Sequence, residues 1–351
     1  MKKIDKNYCM SSFLTFRYVD NNDIIFKEGL EHELFLEEKY DNKYDIVDYK
    51  DVENALQDII NKEVDGSTAI FLSGGIDSAI VASFLKPGTK AYTFKCIADG
   101  AKDETIFSKK YAEKYGLDLE IIEVTWEDYL KYTPALMKNQ NMPIHSIGPQ
   151  IYKALLRAKE EGINKIITGF GADDLFGGLD KILSKDRTLQ EFIDWYTHVD
   201  PKKVLKNSVS MEKTFKKYVK PDGIVDAEKV IHEGVLGEEG DTSFINPFKL
   251  ANMKRIATYT RMNLVNKLDI NRIRNGEPKY LLRQVFKDRY PEFDIPNKVP
   301  LPRAVDQWLC NWKGPTRNEF KENCITGLNG DQKWLLYSLE LFLNINDIDE
   351  D

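Results

Sequence analysis

The chain is poor in cysteine and pairs none of it. Cys9, Cys96, Cys310 and Cys324 are scattered without a Cys-x-x-Cys spacing, which argues against a zinc site or a redox pair and leaves them as buried or idle thiols. No apolar run is long enough for a membrane span, and the opening Met-Lys-Lys-Ile-Asp-Lys is not followed by an apolar signal segment, so a cytoplasmic protein with no membrane partner is expected. A long basic run is missing and the formal net charge is −7. The electrostatic footprint of a nucleic-acid binder is therefore absent, and no nucleic-acid partner is expected. What remains is ordinary for a globular protein: 42% hydrophobic and 30% charged residues over 351 positions. That length has room for two domains, or for one large α/β domain with an appendage.

The most informative stretch is Ala69-Ile-Phe-Leu-Ser-Gly-Gly-Ile-Asp-Ser78, followed by the apolar positions Ile80, Val81, Phe84 and Leu85. Residues 69–72 suit a strand buried on both faces, and the spacing after Ser78 is helical. Between them, Gly74 and Gly75 permit a sharp bend and leave main-chain N–H groups free to face phosphate oxygens, with Ser73 and Ser78 adding hydroxyls. Asp77 is a carboxylate where a phosphate would be repelled, an arrangement that makes sense if a divalent cation, Mg²⁺, bridges the two. The loop has neither the Gly-Lys-Ser/Thr of a Walker motif nor G-x-G-x-x-G. A plain Gly-Gly turn, with Asp77 as a first-turn residue, also fits these residues.

Around this loop the pattern alternates. Residues 45–65 read as a helix with Val52, Ala55, Leu56, Ile59 and Ile60 on one stripe; 91–94, 121–124 and 165–168 read as strands; 103–115, 126–137 and 149–161 read as helices. Strands alternating with helices predict a doubly wound parallel sheet whose ligand lies beyond the carboxyl ends of its strands. Before it, residues 11–36 read as a small β unit with a hairpin at Asp20-Asn-Asn-Asp23. After Lys181 helices dominate, at 189–198, 212–219, 252–268 and 278–289, while 234–241 reads as a mobile loop, either a lid or a solvated connection. The implied organisation is a short N-terminal segment, 1–50, and a unit over 51–351 divided into an α/β core, 51–185, and a mainly helical part, 186–351.

A second glycine-rich loop follows the strand at 165–168: Thr168-Gly-Phe-Gly-Ala-Asp-Asp-Leu-Phe-Gly-Gly178. On its own it also suits a tight loop with an acidic helix cap. Two such loops, each carrying an acid at a strand's carboxyl end, would let Asp77 and Asp173 hold one Mg²⁺ between them.

SGGIDS resembles the PP-loop of ATP pyrophosphatases, and TGFGADDLFGG resembles the TGEGADELFGG segment of asparagine synthetases, β-lactam synthetases and lasso-peptide cyclases. The likeness runs from about Val52 to Leu309. It implies ATP and Mg²⁺ as the nucleotide and metal, with Ser73, Gly74, Gly75, Asp77, Ser78, Gly169 and Gly171 around the phosphates, adenine against Leu72 and Phe94, and Phe170 and Asp174 in the substrate pocket. Ser243-Phe-Ile-Asn-Pro-Phe248 resembles the family's Arg-Val-Pro-Phe-Leu-Asp segment, and Lys279-Tyr-Leu-Leu-Arg283 its Lys-x-x-Leu-Arg helix. Lys298, in a loop bracketed by Pro296 and Pro300, falls where the family has a lysine. By that resemblance Lys279 and Lys298 contact pyrophosphate or the transition state, and Arg283 lies beside them or is structural. Chemistry asks for such cations independently, because expelling pyrophosphate builds negative charge that one metal ion does not neutralise.

Family members also carry a glutaminase domain of roughly 200 residues before the synthetase part. Here Cys9-Met-Ser-Ser-Phe-Leu-Thr-Phe resembles only its Cys-x-x-Phe start, so the segment is expected to be a remnant β-hairpin without glutamine hydrolysis. Phe170 stands where asparagine synthetases have glutamate, and β-lactam synthetases tend to have an aromatic residue there. The expected activity is carboxylate adenylation followed by transfer to an amine or ammonia. The partners are then a small-molecule or peptide carboxylate and an amine donor, and the protein is a candidate homo-oligomer. Sulfur transfer, intramolecular lactam or macrolactam closure, and an inactive nucleotide-binding role remain as alternatives.

Overall fold

Residues Thr68–Phe71 form β1, and every one of them is buried. In the computed structural model, which describes residues 2–233, 235–297 and 301–349, four more parallel strands surround it. These are β2 (Lys90–Cys96), β3 (Asp118–Val124), β4 (Lys165–Thr168) and β5 (Lys254–Ala257), in the order β3-β2-β1-β4-β5. Ile70 pairs with Ala91 on one side, and Thr68 with Lys165 on the other. The order reverses between β1 and β4, and in a doubly wound sheet a crevice opens at that point beyond the strand ends.

Alternation along β1 divides the core. Ala69 and Phe71 join Tyr92, Phe94 and Ile166 on one face, while Ile70 and Leu72 join Ile167 and Ile256 on the other. The second face is covered by α2 (Tyr49–Glu63), α3 (Ile76–Ala82), α4 (Thr105–Tyr115) and, from much later in the chain, α9 (Tyr280–Arg289). The expected stripe on α2 is buried as read, and the helix starts in a capping box between Asp48 and Asp51. Burying each of its large aliphatic side chains contributes roughly 1.5–3 kcal/mol. Helix α4 ends on Gly116, whose φ of 64° is the left-handed cap that glycine adopts most readily. The first face carries α5 (Trp126–Gln140), α6 (Gly148–Glu160) and α8 (Val235–Ala251). Between β4 and α8 lie α7 (Ala172–Leu175) and several short helices.

Three expectations are overturned. The hairpin at 11–36 is instead a helix, α1 (Lys6–Phe16), which Asp5 caps by accepting from the Tyr8 amide at 2.9 Å. Residues 9–16 are buried all round, so they show no helical period and their apolar run passes for a strand. The short strand Ile24–Ile25 does exist, but it pairs in parallel with Lys3–Ile4. Cys9 therefore sits inside α1 rather than in a remnant hairpin. The helix expected at 252–268 is β5, a 3₁₀ turn and a strand, Met262–Leu264, that pairs with Tyr44–Ile46. The free edge of β4 recruits β5, a tertiary influence that local spacing does not record. The α/β layer thus draws a strand from beyond residue 185.

The loop expected at 234–241 is helical from Val235 onward, as the start of α8; Gly234 lies outside the described residues. Its glycines weaken a helix by about 1 kcal/mol each, and partners from the N-terminal segment offset this. Asp241 accepts from the Glu37 amide at 2.9 Å, and Thr242 Oγ1 from the Phe35 amide at 3.1 Å.

Candidate active site

Both glycine-rich loops leave the sheet where its strand order reverses. In the first, the Ser73 amide donates to Ser78 Oγ at 3.0 Å, the two hydroxyls are 2.9 Å apart, and the Gly75 amide donates to Ser73 Oγ at 3.2 Å. Outer hydroxyls fix the backbone: Tyr259 donates to the Asp77 carbonyl at 3.0 Å and Tyr290 to that of Ala79 at 2.6 Å. The second loop presses against the first. A Cβ on Gly169 would stand 2.8 Å from the Ser78 nitrogen, so no larger residue allows this approach.

Between the loops lies the ammonium of Lys279. Its Nζ is 2.6 Å from Asp77 Oδ2 and 2.8 Å from Asp173 Oδ1. Lys279 is the N-cap of α9 and has a left-handed backbone, φ 55°, which turns the chain into the crevice. Burial works against its charge, but the Asp77 and Asp173 carboxylates outweigh it and hold the group above the usual lysine range. Gly178 makes room for the contact: a Cβ there would meet Lys279 Cε at 2.0 Å and Asp173 Oδ1 at 2.1 Å.

The donor set suits Mg²⁺. Two carboxylates already share one cation, both are hard oxygen ligands, and Mg²⁺ typically uses one or two protein carboxylates together with substrate phosphates. Among the described residues, no cluster of three or more His, Cys, Asp or Glu side chains forms a self-sufficient metal cage.

These groups line a cavity of about 460 Å³. Ser73, Gly75, Ser78, Gly169, Gly171, Asp173 and Asp174 border it, and so does Arg283, whose Nε donates to the Pro278 carbonyl at 2.9 Å. Phe94 lines it too, edge-on to Phe71 with ring centroids 5.4 Å apart. Leu72 does not: the strand's period of two sends it to the α2 face with Ile70, and Phe71 borders the cavity instead. Gly74 lies just behind the lining, its carbonyl accepting from Tyr111 at 3.4 Å. Phe170 packs on Phe244 at 4.9 Å and under the Arg255 guanidinium at 4.5 Å. Lys298 lies outside the described residues.

Sequence reasoning missed Arg17, Glu104, His145, Glu239 and Arg303, all of which border the cavity. Glu104 has a buried carboxylate oxygen with no hydrogen-bond partner among the described residues, and burial raises its pKa. None of the five belongs to a motif, so no local signal marks them.

A family model described as Asparagine synthase matches residues 51–269. The chain belongs to the asparagine synthase family. The match holds both glycine-rich loops of this asparagine synthase-family chain, whereas Lys279, Arg283 and Arg17 fall outside it. Among curated relatives, a Methanocaldococcus jannaschii protein named as a glutamine-hydrolyzing asparagine synthetase is 29% identical over 170 residues, covering 46% of this chain and 30% of that protein. Amidase chry2 of Gibberella zeae is 28% identical, covering 34% and 21%. Asparagine synthetase 1 of Bacillus subtilis is 27% identical, covering 37% and 21%. The chain thus matches under a third of the length of each. Two solved structures, a U34-tRNA thiolase of Methanococcus maripaludis (16% identity, 71% of this chain and 82% of that one) and NMN synthetase of Francisella tularensis (20%, 37% and 56%), superpose with a TM-score of 0.26. A superposition that weak bears on neither fold nor function. Among the described residues, no helix of this family member is long and apolar enough to cross a membrane.

Proposed function

We propose that the protein is an ATP-dependent amide synthetase that activates a carboxylate as its acyl-adenylate. One observation carries the reading: two glycine-rich loops, meeting where the sheet's strand order reverses, bring Asp77 and Asp173 onto one buried lysine ammonium. Phosphates would lie against the Ser73–Ser78 loop and Gly169, with the adenine beside Phe71 and Phe94. The substrate carboxylate attacks the α-phosphorus, the α–β bridging bond breaks, and pyrophosphate leaves. An amine nitrogen then attacks the acyl carbon, AMP departs, and the nitrogen loses its proton as the amide forms.

Lys279 supplies a fixed positive charge beside the leaving pyrophosphate, held in place before the reaction begins. Asp77 and Asp173 would hold Mg²⁺, which when bound neutralises phosphate charge. Residues Ser73 and Ser78, already bonded to one another, orient the phosphates rather than react with them.

Cys9 does not serve as a glutaminase nucleophile in this reading. It is buried in α1, and burial, with Asp5 and Asp20 near, pushes its thiol well above the usual range. At the substrate wall Phe170 brings a ring where a carboxylate would hold ammonium, which favours an amine other than free ammonia. Incubation with Mg-ATP and a panel of carboxylic acids, scored by ATP–pyrophosphate exchange, tests the adenylation; no exchange with any acid and no AMP release refutes it. Aspartate with either glutamine or ammonium is expected to give no asparagine by chromatography, and robust asparagine formation would overturn the reading of Phe170.

A further inference from the structure

Away from the cavity, one stretch departs from the charge balance of the rest. Residues 201–220 hold seven lysines and a single acid, Glu212, and so carry +6 in a chain whose formal total is −7. The lysines never run more than two together in sequence, and it is the fold that gathers them. Two short helices, Pro201–Val204 and Glu212–Lys216, carry several of them. The Glu212 carboxyl is held below its usual range by its hydrogen bond to Lys216 and by the charge of Lys202 on the other helix, which puts the two helices within electrostatic reach of each other. Lys321 adds a further cation from much later in the chain, its Nζ donating to the Lys202 carbonyl at 2.6 Å.

The face is anchored from beneath. Val204, Leu205, Met211, Phe215 and Tyr218 are buried, the Phe215 ring centroid lies 5.0 Å from that of Phe16 in α1, and the Val209 amide donates to Ser11 Oγ at 2.9 Å. All seven lysines are exposed. Only Lys216 has an ion pair among the described residues, with Glu212 at 2.8 Å. Elsewhere Lys90, Lys153, Lys165 and Lys254 each meet a carboxylate at 2.6 to 2.9 Å. Like charges held together with so few acids between them repel, and a counter-charge brought from outside the chain relieves that repulsion.

The chemistry of the face selects among polyanions. Residues 201–220 contain no arginine, and their aromatic rings, Phe215 and Tyr218, are buried, so neither bidentate phosphate contacts nor base stacking is on offer. A nucleic acid longer than the face would also run onto a remainder of the chain that is strongly acidic. Among the described residues, no large exposed hydrophobic side chain lies between 201 and 225 to enter a membrane. A second copy meeting this face across a two-fold axis would set lysine against lysine. We propose that the face built by residues 201–220 and Lys321 docks a separate, folded acidic protein, whose Asp/Glu-rich helix supplies the carboxylates that these lysines lack. Docking there does not depend on the synthetase reading.

The test uses the full chain and a fluorescein-labelled helical peptide whose glutamates recur at i, i+3 and i+4, followed by anisotropy at low and at physiological salt. The same peptide with glutamine for glutamate, a single-stranded DNA of equal charge and vesicles containing phosphatidylserine are the competing probes. The glutamate peptide binds, more weakly as salt rises, and the glutamine peptide does not. Lys202→Glu, Lys213→Glu and Lys217→Glu together weaken binding by about 10-fold or more, since three exposed attractions become repulsions. A second triple variant, Lys86→Glu, Lys109→Glu and Lys138→Glu, has the same net charge and changes exposed lysines elsewhere; it binds within about 2-fold of wild type. Urea unfolding checks that both variants are folded. The proposal is overturned if the glutamate peptide does not bind, if the second variant loses as much affinity as the first, or if the DNA or the vesicles bind more tightly than the peptide. ATP–pyrophosphate exchange without peptide is the same in wild type and both variants, so failure of docking is distinct from failure of the adenylation reading.

Discussion

Replacing Lys279 with methionine keeps most of the apolar stem and removes the ammonium that Asp77 and Asp173 share at 2.6 and 2.8 Å. Breaking a fully buried pair by removing one partner costs about 3–5 kcal/mol. The two carboxylates keep 22% and 38% of their side-chain exposure, so water screens part of that penalty, and a loss of about 2 kcal/mol is expected. The left-handed backbone at 279 adds nothing to the difference, because lysine and methionine pay the same steric cost there. Urea unfolding of wild type, Lys279→Met, Asp77→Asn and the double variant measures it, with a coupling of at least about 1 kcal/mol between the two sites. The deficit should be flat across neutral and mildly alkaline pH. A lysine whose pKa is raised on folding gives its full contribution below the ordinary value of 10.5, and loses it only as pH climbs through the higher folded value. Added Mg²⁺ should recover part of the lost stability by taking the ammonium's place between the carboxylates. Additive single costs, or a methionine variant as stable as wild type, would show that the three side chains do not form one electrostatic unit.

Asp77→Asn and Asp173→Asn should each abolish Mg²⁺-dependent AMP production with the fold intact by circular dichroism; wild-type turnover by either ends the metal assignment. Gly178→Ala places a methyl group 2.0 Å from Lys279 Cε and 2.1 Å from Asp173 Oδ1. It should cut ATP–pyrophosphate exchange by about 100-fold or more, and an unchanged rate would mean that the lysine need not sit where it does. His32 is buried, with neither ring nitrogen hydrogen-bonded among the described residues, and burial, with Lys2 adding to it, lowers its pKa from 6.5 to about 4. Its contribution to stability is therefore complete above pH 6.5 and is lost as pH falls from there to about 4. The loss is up to about 3 kcal/mol. A His32→Leu variant whose urea midpoint drops just as steeply between neutral and acid pH would contradict this.

The α/β layer was legible wherever strands are buried on both faces and bounded by turn residues, because an apolar run ending at Ser73-Gly-Gly75 has few other structural solutions. Asp77 and Asp173 were legible for a chemical reason, each being an acid in a glycine-rich loop at a strand's end. Three features were not. Helix α1 is buried on all sides from Cys9 to Phe16 and so has no period to detect. Strand β5 exists because β4 has a free edge, which is knowledge of the sheet and not of residues 254–257. Arg17 and Glu239 lie 222 positions apart, and neither has a sequence neighbourhood that distinguishes it from the chain's many other charged residues.

The way the chain closes on itself bears on the order in which it acquires structure during synthesis. Helix α1 packs against α10 (Gly330–Ile345), Lys6 reaches Glu319 across 313 positions, and Asp45 meets Asn263 across 218. Contacts of such separation slow folding, because the closure entropy is spent before they form. Helix α1 therefore stays uncovered until α10 has been made. Cutting the chain at residue 269, where the family match ends, would strand that helix and remove the lysine from between its two acids. Such fragments should appear as aggregates, because α1 is covered only where α10 is kept.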